Sequence, residues 1–286
     1  MTKKLTVAVA SGKGGTGKTT ISTCLAYAAV EAGYETAYID CDVEEPNGHL
    51  FLKPLLERSY PVSLPVPAVD EEKCVACGAC GEICQYSAIV CINKSVLTFE
   101  KMCHGCGGCS LVCPAGAISE KKRELGIVEE GRAGKISFYH GRLNIGEAMS
   151  PPLIKAVRSA GRESLLNIVD APPGTSCPVI SAVRNADYVL LVAEPTLFGL
   201  NDLGLAVDMV KELEIPHAVV VNRSCPGNTL ARKFCAERGI KVLAEIPDDR
   251  RVAEAYSRGE LPYLSVPGYQ RRFAKLLISI LKEARR

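Results

Sequence analysis

Between residues 62 and 121 the chain carries nine of its 14 cysteines, and eight of these repeat one spacing. Cys74, Cys77, Cys80 and Cys84 form C-x2-C-x2-C-x3-C and are followed by Ala88-Ile89; Cys103, Cys106, Cys109 and Cys113 form it again, followed by Ala117-Ile118. An acid–lysine pair precedes each half, Glu72-Lys73 and Glu100-Lys101. A half of fewer than about 30 residues cannot bury a core alone, so bonds other than apolar contacts must hold it together. The stretch opens with PVSLPVPAV, whose prolines predict a linker and exclude a helix interior or central strand.

On either side the pattern is of another kind. KLTVAVA (4–10), ETAYID (35–40), LLNIVD (165–170), YVLLVAE (188–194), HAVVVN (217–222) and KVLAEI (241–246) are apolar runs with little alternation. Strands buried on both faces of a parallel sheet read this way. Helices are predicted between them at 18–32, 151–161, 177–184, 199–213, 228–238 and 248–258, with a last one at about 269–284. The alternation predicts an α/β doubly wound, mostly parallel sheet. The expected organisation is one α/β domain in two parts, 1–61 and 122–286, with a small α+β domain inserted at 62–121.

The first strand runs into SGKGGTGKTT, residues 11–20, which satisfies G-x-x-x-x-G-K-[ST] and opens the first helix. In that context Gly12, Gly14, Gly15, Thr16, Gly17, Lys18, Thr19 and Thr20 form a P-loop. Glycines let successive N–H groups face phosphate oxygens, and the helix N-terminus adds its positive end. Lys18 is placed for the β- and γ-phosphates and Thr19 for Mg²⁺.

With the early Lys13, the loop resembles the deviant Walker A of the MinD/ParA/nitrogenase-iron-protein superfamily of P-loop ATPases. The resemblance spans most of residues 1–60 and 125–265, and the ligands it implies are ATP and Mg²⁺. It implies that Lys13 reaches the partner's phosphates across an ATP-dependent homodimer or a heterodimer of paralogues. IDCDVEEPN resembles switch I, which implies that Asp42 orients the attacking water and places Asp40 in the outer Mg²⁺ shell. NIVDAPPGT resembles Walker B and switch II, with Asp170 holding Mg²⁺ and Gly174 near the γ-phosphate. VVVNR and EIPDD resemble base-contacting segments, which implies roles for Asn222, Arg223, Pro247 and Asp248.

The cysteine run resembles that of bacterial ferredoxins, where three thiolates of one loop hold a [4Fe–4S] cluster and the fourth serves the other. This implies two clusters with crossed ligation: Cys74, Cys77, Cys80 and Cys113 for the first, Cys103, Cys106, Cys109 and Cys84 for the second. Pro114 follows the second ladder as in ferredoxins, whereas Gln85 stands after the first. Zinc would favour paired C-x2–4-C, and disulfides are disfavoured in a reducing compartment. Cys24, Cys91, Cys225 and Cys235 read as small core residues. Cys177 lies seven residues past Asp170, where the nitrogenase iron protein carries a cluster ligand; the expectation here is a plain buried thiol. His104, inside the second ladder, reads as solvated.

The N-terminus lacks a signal-peptide pattern and no apolar run reaches membrane-spanning length, so a cytoplasmic protein without stable membrane insertion is expected. A net charge of +2 and the absence of Trp argue against a nucleic-acid binder. The combination resembles MinD-superfamily ATPases with an inserted ferredoxin domain. It implies an ATPase that couples nucleotide-driven dimer and switch changes to electron transfer toward a redox or iron–sulfur acceptor protein. The alternatives are an ATP-dependent iron–sulfur cluster carrier, whose relatives use a C-x2-C pair near the C-terminus that is absent here, and a MinD-like positioning ATPase. For the last, the tail offers Phe273, Leu276, Leu277, Ile280 and Leu281 on one face, with Arg271, Arg272, Lys275, Lys282, Arg285 and Arg286 elsewhere.

Overall fold

The computed structural model describes residues 4–161 and 164–285. Strand β1 (Leu5–Ala10) feeds helix α1 (Lys18–Glu31), then β2 (Thr36–Asp40), the short α2 (Gly48–Leu52) and the long β3 (Leu55–Val69). The cysteine-rich stretch supplies α3 (Ala79–Ile83), β4 (Ile89–Ile92), β5 (Ser95–Thr98) and α4 (Gly108–Leu111). Strands β6 (Ile118–Ala133) and β7 (Ile136–Leu143) follow, then α5 (Pro151–Ala160), β8 (Leu166–Asp170), α6 (Cys177–Val183) and β9 (Tyr188–Ala193). The chain continues through α7 (Leu197–Glu212), β10 (His217–Ser224), α8 (Leu230–Glu237) and β11 (Val242–Pro247). It ends in α9 (Arg250–Ser257), α10 (Pro262–Ser265) and α11 (Tyr269–Glu283).

A nine-stranded sheet runs in the order β11-β10-β9-β1-β8-β2-β7-β6-β3. The pairings from β11 to β7 are parallel. The chain folds as two compact units. One holds the residues up to Ser59, Val128–Arg142 and those from Ile154 onward; the other holds Tyr60–Ile127 and Leu143–Leu153. The second unit is thus wider than the expected 62–121, because it takes in 122–127 and the segment 143–153.

In the first unit the predicted strands and helices lie within a few residues of their expected positions. The exceptions are strands at the edge. PVSLPVPAV is strand, not linker, and lies in β3, the terminal strand of the sheet. Pro61, Pro65 and Pro67 share one parity, so their missing N–H groups all fall on the side of the strand that needs no partner. β6 and β7 were not expected either. They are joined by the two-residue turn Gly134-Lys135, with Gly134 at φ 59°, a connection that only antiparallel neighbours allow. Gly131 has no room for a Cβ, because the Leu55 carbonyl of β3 lies against it.

Helix α11 packs its apolar face into the core: Phe273, Leu276, Leu277, Ile280 and Leu281 are all buried. That face is therefore unavailable to a lipid surface in this fold, and Arg286 lies outside the described residues. No helix among the described residues is long and apolar enough to cross a membrane.

Within β7, His140 is buried, with Nε2 2.9 Å from Glu129 Oε2 and, among the described residues, Nδ1 without a partner. The His49 ring meets it edge-on at 5.5 Å and Arg142 lies 3.5 Å from Glu129. Burial pulls the His140 pKa below its usual 6.5, against the opposing pull of Glu129. A histidine whose folded pKa is depressed contributes stability above the unfolded pKa and loses it as pH falls. Urea midpoints at pH 7 and pH 5 should therefore fall further for the wild type than for His140→Gln. The buried carboxylates titrate with the opposite sign, so the difference between the two proteins is the readout.

Candidate functional site

In the first unit, the loop after β1 takes its shape from two left-handed glycines, Gly15 at φ 78° and Gly17 at φ 91°. Gly17 caps α1 without a side-chain bond, so the first N–H groups of that helix remain open to a ligand. A Cβ on Gly14 or Gly15 would meet nothing within 4 Å, whereas one on Gly12 would strike the Asp202 backbone of α7. One on Gly17 would strike the Asn222 amide. That amide donates to Thr16 O at 2.8 Å, so Asn222 braces the loop. Ser11 Oγ donates to Lys13 O at 2.6 Å, and Gly174 N donates to Ser11 O at 3.0 Å.

The loop forms one wall of a 430 Å³ cavity, within the usual range for a small-molecule site. Lys18, Thr19, Thr20 and Asp42 line it at one end; Asn222, Arg223, Pro247 and Asp248 line it elsewhere. Lys18 is 6% exposed. Lys13 does not line this cavity; its Nζ lies 3.4 Å from Glu194 Oε2, and Arg223 donates to the other oxygen of the same carboxylate.

Three aspartates gather near Lys18. Asp40 and Asp170 are register partners on β2 and β8, and both are fully buried. Asp40 accepts from Asp42 N at 3.1 Å and from Gly48 N at 2.9 Å, so both its oxygens tie down the 42–48 segment. Asp170 Oδ2 accepts from Tyr38 at 2.9 Å, while its Oδ1 is buried without a partner. Thr16 Oγ1 is likewise buried and unpartnered. Burial raises the pKa of Asp170; Lys18, Thr19 and Tyr38 pull it back. Asp42 is pushed up to about 7, chiefly by burial, with Lys18 opposing and Asp170, Glu45 and Glu44 adding to the rise.

The second unit brings the cysteines together in two sets. One cavity is lined by Cys74, Cys77, Cys80 and Cys113, and the other by Cys84, Cys103, Cys106 and Cys109. Each set takes three thiols from one ladder and the fourth from the other. The repeats are tied reciprocally as well: Asp70 N donates to Ala117 O at 2.8 Å, and Phe99 N to Ala88 O at 2.7 Å. The fourth thiol of each ladder accepts a backbone N–H at 3.3 Å, Cys84 from Ala88 and Cys113 from Ala117. Burial opposes ionisation of Cys84, but the backbone N–H groups of Tyr86 and Ala88 hold its pKa below the ordinary thiol value. Burial raises those of Cys80 and Cys109. Among the described residues no three His, Cys, Asp or Glu side chains converge closely enough to hold a single metal ion, so each set of four thiols surrounds its cavity without meeting at one point.

The remaining cysteines divide. Cys24, Cys41 and Cys235 are core residues, but Cys177 and Cys225 are exposed and Cys91 is only half-buried. The expectation of buried thiols fails at Cys177 because the residue opens α6 directly after a loop, and at Cys225 because it follows the last residue of β10. Cys91 donates to Ala76 O at 3.6 Å, beside the first ladder. His104 is exposed, as expected, but not unattached: its ring stacks on Tyr86 at 3.6 Å and 9°.

Residues 7–263 match the nucleotide-binding domain of CobQ, CobB, MinD and ParA. The chain is 32% identical to an uncharacterized protein of Methanocaldococcus jannaschii, over 97% of this chain and 99% of that protein. It is 27% identical to the iron–sulfur cluster carrier protein of Pyrococcus abyssi, over 90% of this chain and 78% of the relative. In fold it is similar to the septum site-determining protein MinD of Pyrococcus horikoshii complexed with Mg-ADP. The TM-score is 0.60 at 18% identity, covering 96% of this chain and 94% of that one.

Proposed function

The chain belongs to the CobQ/CobB/MinD/ParA nucleotide-binding family, and from that premise we propose an ATPase that couples nucleotide binding and hydrolysis to electron transfer through two [4Fe–4S] clusters. The observation that carries the redox half is the pair of four-thiol cavities, each completed by a cysteine of the opposite ladder. Four thiols around one cavity suit a cubane, and the crossed fourth ligand supplies the staple that so small a unit lacks. The orphaned oxygens Asp170 Oδ1 and Thr16 Oγ1 suit a phosphate-bound cation and its neighbourhood. When bound, Mg²⁺ neutralises phosphate charge and each cluster exchanges one electron.

The chain's own groups then have definable tasks. The amides of Gly12–Thr20 and the open end of α1 hold the phosphates, and the buried Lys18 cancels their charge. Thr19 and Asp170 hold the cation. Asp42 orients the attacking water, with Asp40 fixing the backbone on which Asp42 sits. Arg223, Pro247 and Asp248 flank the base, while Asn222 keeps the loop open. Lys13 exchanges Glu194 for the phosphates of a partner subunit. Leu197 and Phe198, 75% and 83% exposed in the first turn of α7, suit burial against a second copy. The protein would work in the cytoplasm on an acceptor protein, with neither nucleic acid nor a membrane as partner.

A second reading, cluster delivery, draws on the similarity to the Pyrococcus abyssi carrier. One preparation separates the two. Anaerobic protein should hold about eight irons with matching sulfide, and its reduction potential should shift on adding Mg-ATP. Iron passing to an apo-acceptor in an ATP-dependent way would overturn electron transfer in favour of delivery.

A further inference from the structure

We propose that Tyr38 is a positioning residue whose phenol fixes the Asp170 carboxylate so that Oδ1 faces the cation of a bound nucleotide. This rests on the reading of Asp170 as the metal-holding carboxylate. Tyr38 lies on β2, a strand whose every residue is buried, and its own exposure is 0%. A tyrosine in such a strand needs an acceptor for its O–H, because an unpartnered hydroxyl in the interior is costly. The acceptor is Asp170 Oδ2 at 2.9 Å.

The consequence falls on the other oxygen. Asp170 has two equivalent oxygens until one is engaged, and Tyr38 engages Oδ2. Oδ1 is left buried with no partner at hydrogen-bond distance, although the hydroxyls of Thr19 and Ser22 also favour the charged carboxylate. The neighbouring Asp40 differs, since each of its oxygens already accepts a backbone N–H group. Tyr38 itself has little freedom. Its ring stacks on Phe138 at 5.9 Å and 15°, and it abuts Gly48, where any Cβ would overlap it. Ser22 Oγ of α1 also lies at its hydroxyl, at a long 3.5 Å. The phenol therefore lies between the helix that starts at the phosphate loop and the strand that ends at Asp170. Partners of this kind set the orientation of metal ligands, and losing one lowers metal affinity roughly 10- to 100-fold.

Tyr38→Phe removes the hydroxyl and keeps the ring. The test is a Mn²⁺ titration of the full chain in the presence of ADP, followed by electron paramagnetic resonance. Mn²⁺ affinity should fall about 10-fold or more, with ADP affinity in EDTA close to wild type and the urea midpoint lowered by the lost buried hydrogen bond. The Mg²⁺ concentration for half-maximal hydrolysis should rise, with kcat recovering at saturating Mg²⁺. A purely structural tyrosine would move the urea midpoint and leave Mn²⁺ affinity alone, and that result overturns the proposal. Asp170→Asn separates the two levels. If it weakens Mn²⁺ binding while Tyr38→Phe does not, only the role of Tyr38 is lost. If it too binds Mn²⁺ like wild type, the reading of Asp170 fails and the proposal with it.

Discussion

Replacing Cys113 with serine is expected to strip iron from the site of the first ladder and to leave the site of the second one loaded. Cys113 stands in the second ladder by sequence, yet it lines the cavity of Cys74, Cys77 and Cys80. Serine oxygen is a poor substitute for thiolate, so the cluster with three remaining cysteines becomes labile. Iron in anaerobic protein should drop from about eight to about four per chain. The spectrum of Cys113→Ser should match that of Cys77→Ser, and Cys84→Ser should match Cys106→Ser. Uncrossed ligation gives the opposite pairing, with Cys113→Ser matching Cys106→Ser, and would refute the arrangement. A second effect should accompany the first. The apolar clusters of this unit are small, Val66, Ala88 and Cys103 in one, Cys80, Ile89 and Ile118 in the other. Without a crossed ligand the halves are tied mainly by backbone bonds such as Asp70 to Ala117, so proteolysis within 60–127 should quicken.

The parallel part of the sheet was legible because each strand is buried on both faces and therefore reads as an unbroken apolar run. Its edge was not. β6 carries ISEKKRELGIVEEGRA, whose first half is mostly exposed and charged, so no face shows in the pattern. β3 concealed itself behind prolines, which are incompatible with a central strand but tolerated where one side needs no hydrogen bonds. The hairpin of β4 and β5 turns on Asn93 and Lys94, both at positive φ, where lysine is an uninformative residue for a turn that favours Asn-Gly.

At the nucleotide site, spacing pointed to the loop and the family resemblance to the aspartates, but neither told the surroundings of one aspartate from those of another. Asp40 and Asp170 look alike in sequence, each closing an apolar strand. They differ because a bend after β2 returns the Asp42 and Gly48 amides to Asp40, while Asp170 meets a phenol and retains an open oxygen. Asn222 is likewise a neighbour of Thr16 only through the parallel placement of β10 and the loop after β1, a contact between residues 206 positions apart. Tyr38 carries a signal of its own, a phenol inside a strand whose five residues are all buried. Spacing in the cysteine ladders was more informative, since three thiols on one tight loop leave the fourth directed elsewhere.

Lys18→Ala should abolish ATP hydrolysis, lowering kcat/KM by at least about 10³-fold, equivalent to about 4 kcal/mol of lost transition-state stabilisation. Lys18 is buried at the start of α1, in the field of Asp42 and Asp170. Its removal has two consequences with the same sign. The phosphates lose the cation that cancels the charge developing during transfer. The two carboxylates lose the charge that opposes the rise burial gives their pKa values, so both are protonated more readily, and a protonated Asp170 holds a cation poorly. Fold and clusters should survive, because the lysine lies in the first unit and the cysteine cavities in the second. Iron content and far-ultraviolet circular dichroism of the variant should therefore equal those of wild type. Lys13→Ala makes the informative contrast. Its side chain is outside the nucleotide cavity and paired with Glu194, so nucleotide affinity should persist while ATP-dependent dimerisation and turnover are lost. Hydrolysis within a few-fold of wild type in Lys18→Ala would mean that the loop after β1 does not hold the reacting phosphates, and no ATPase reading of this chain would stand.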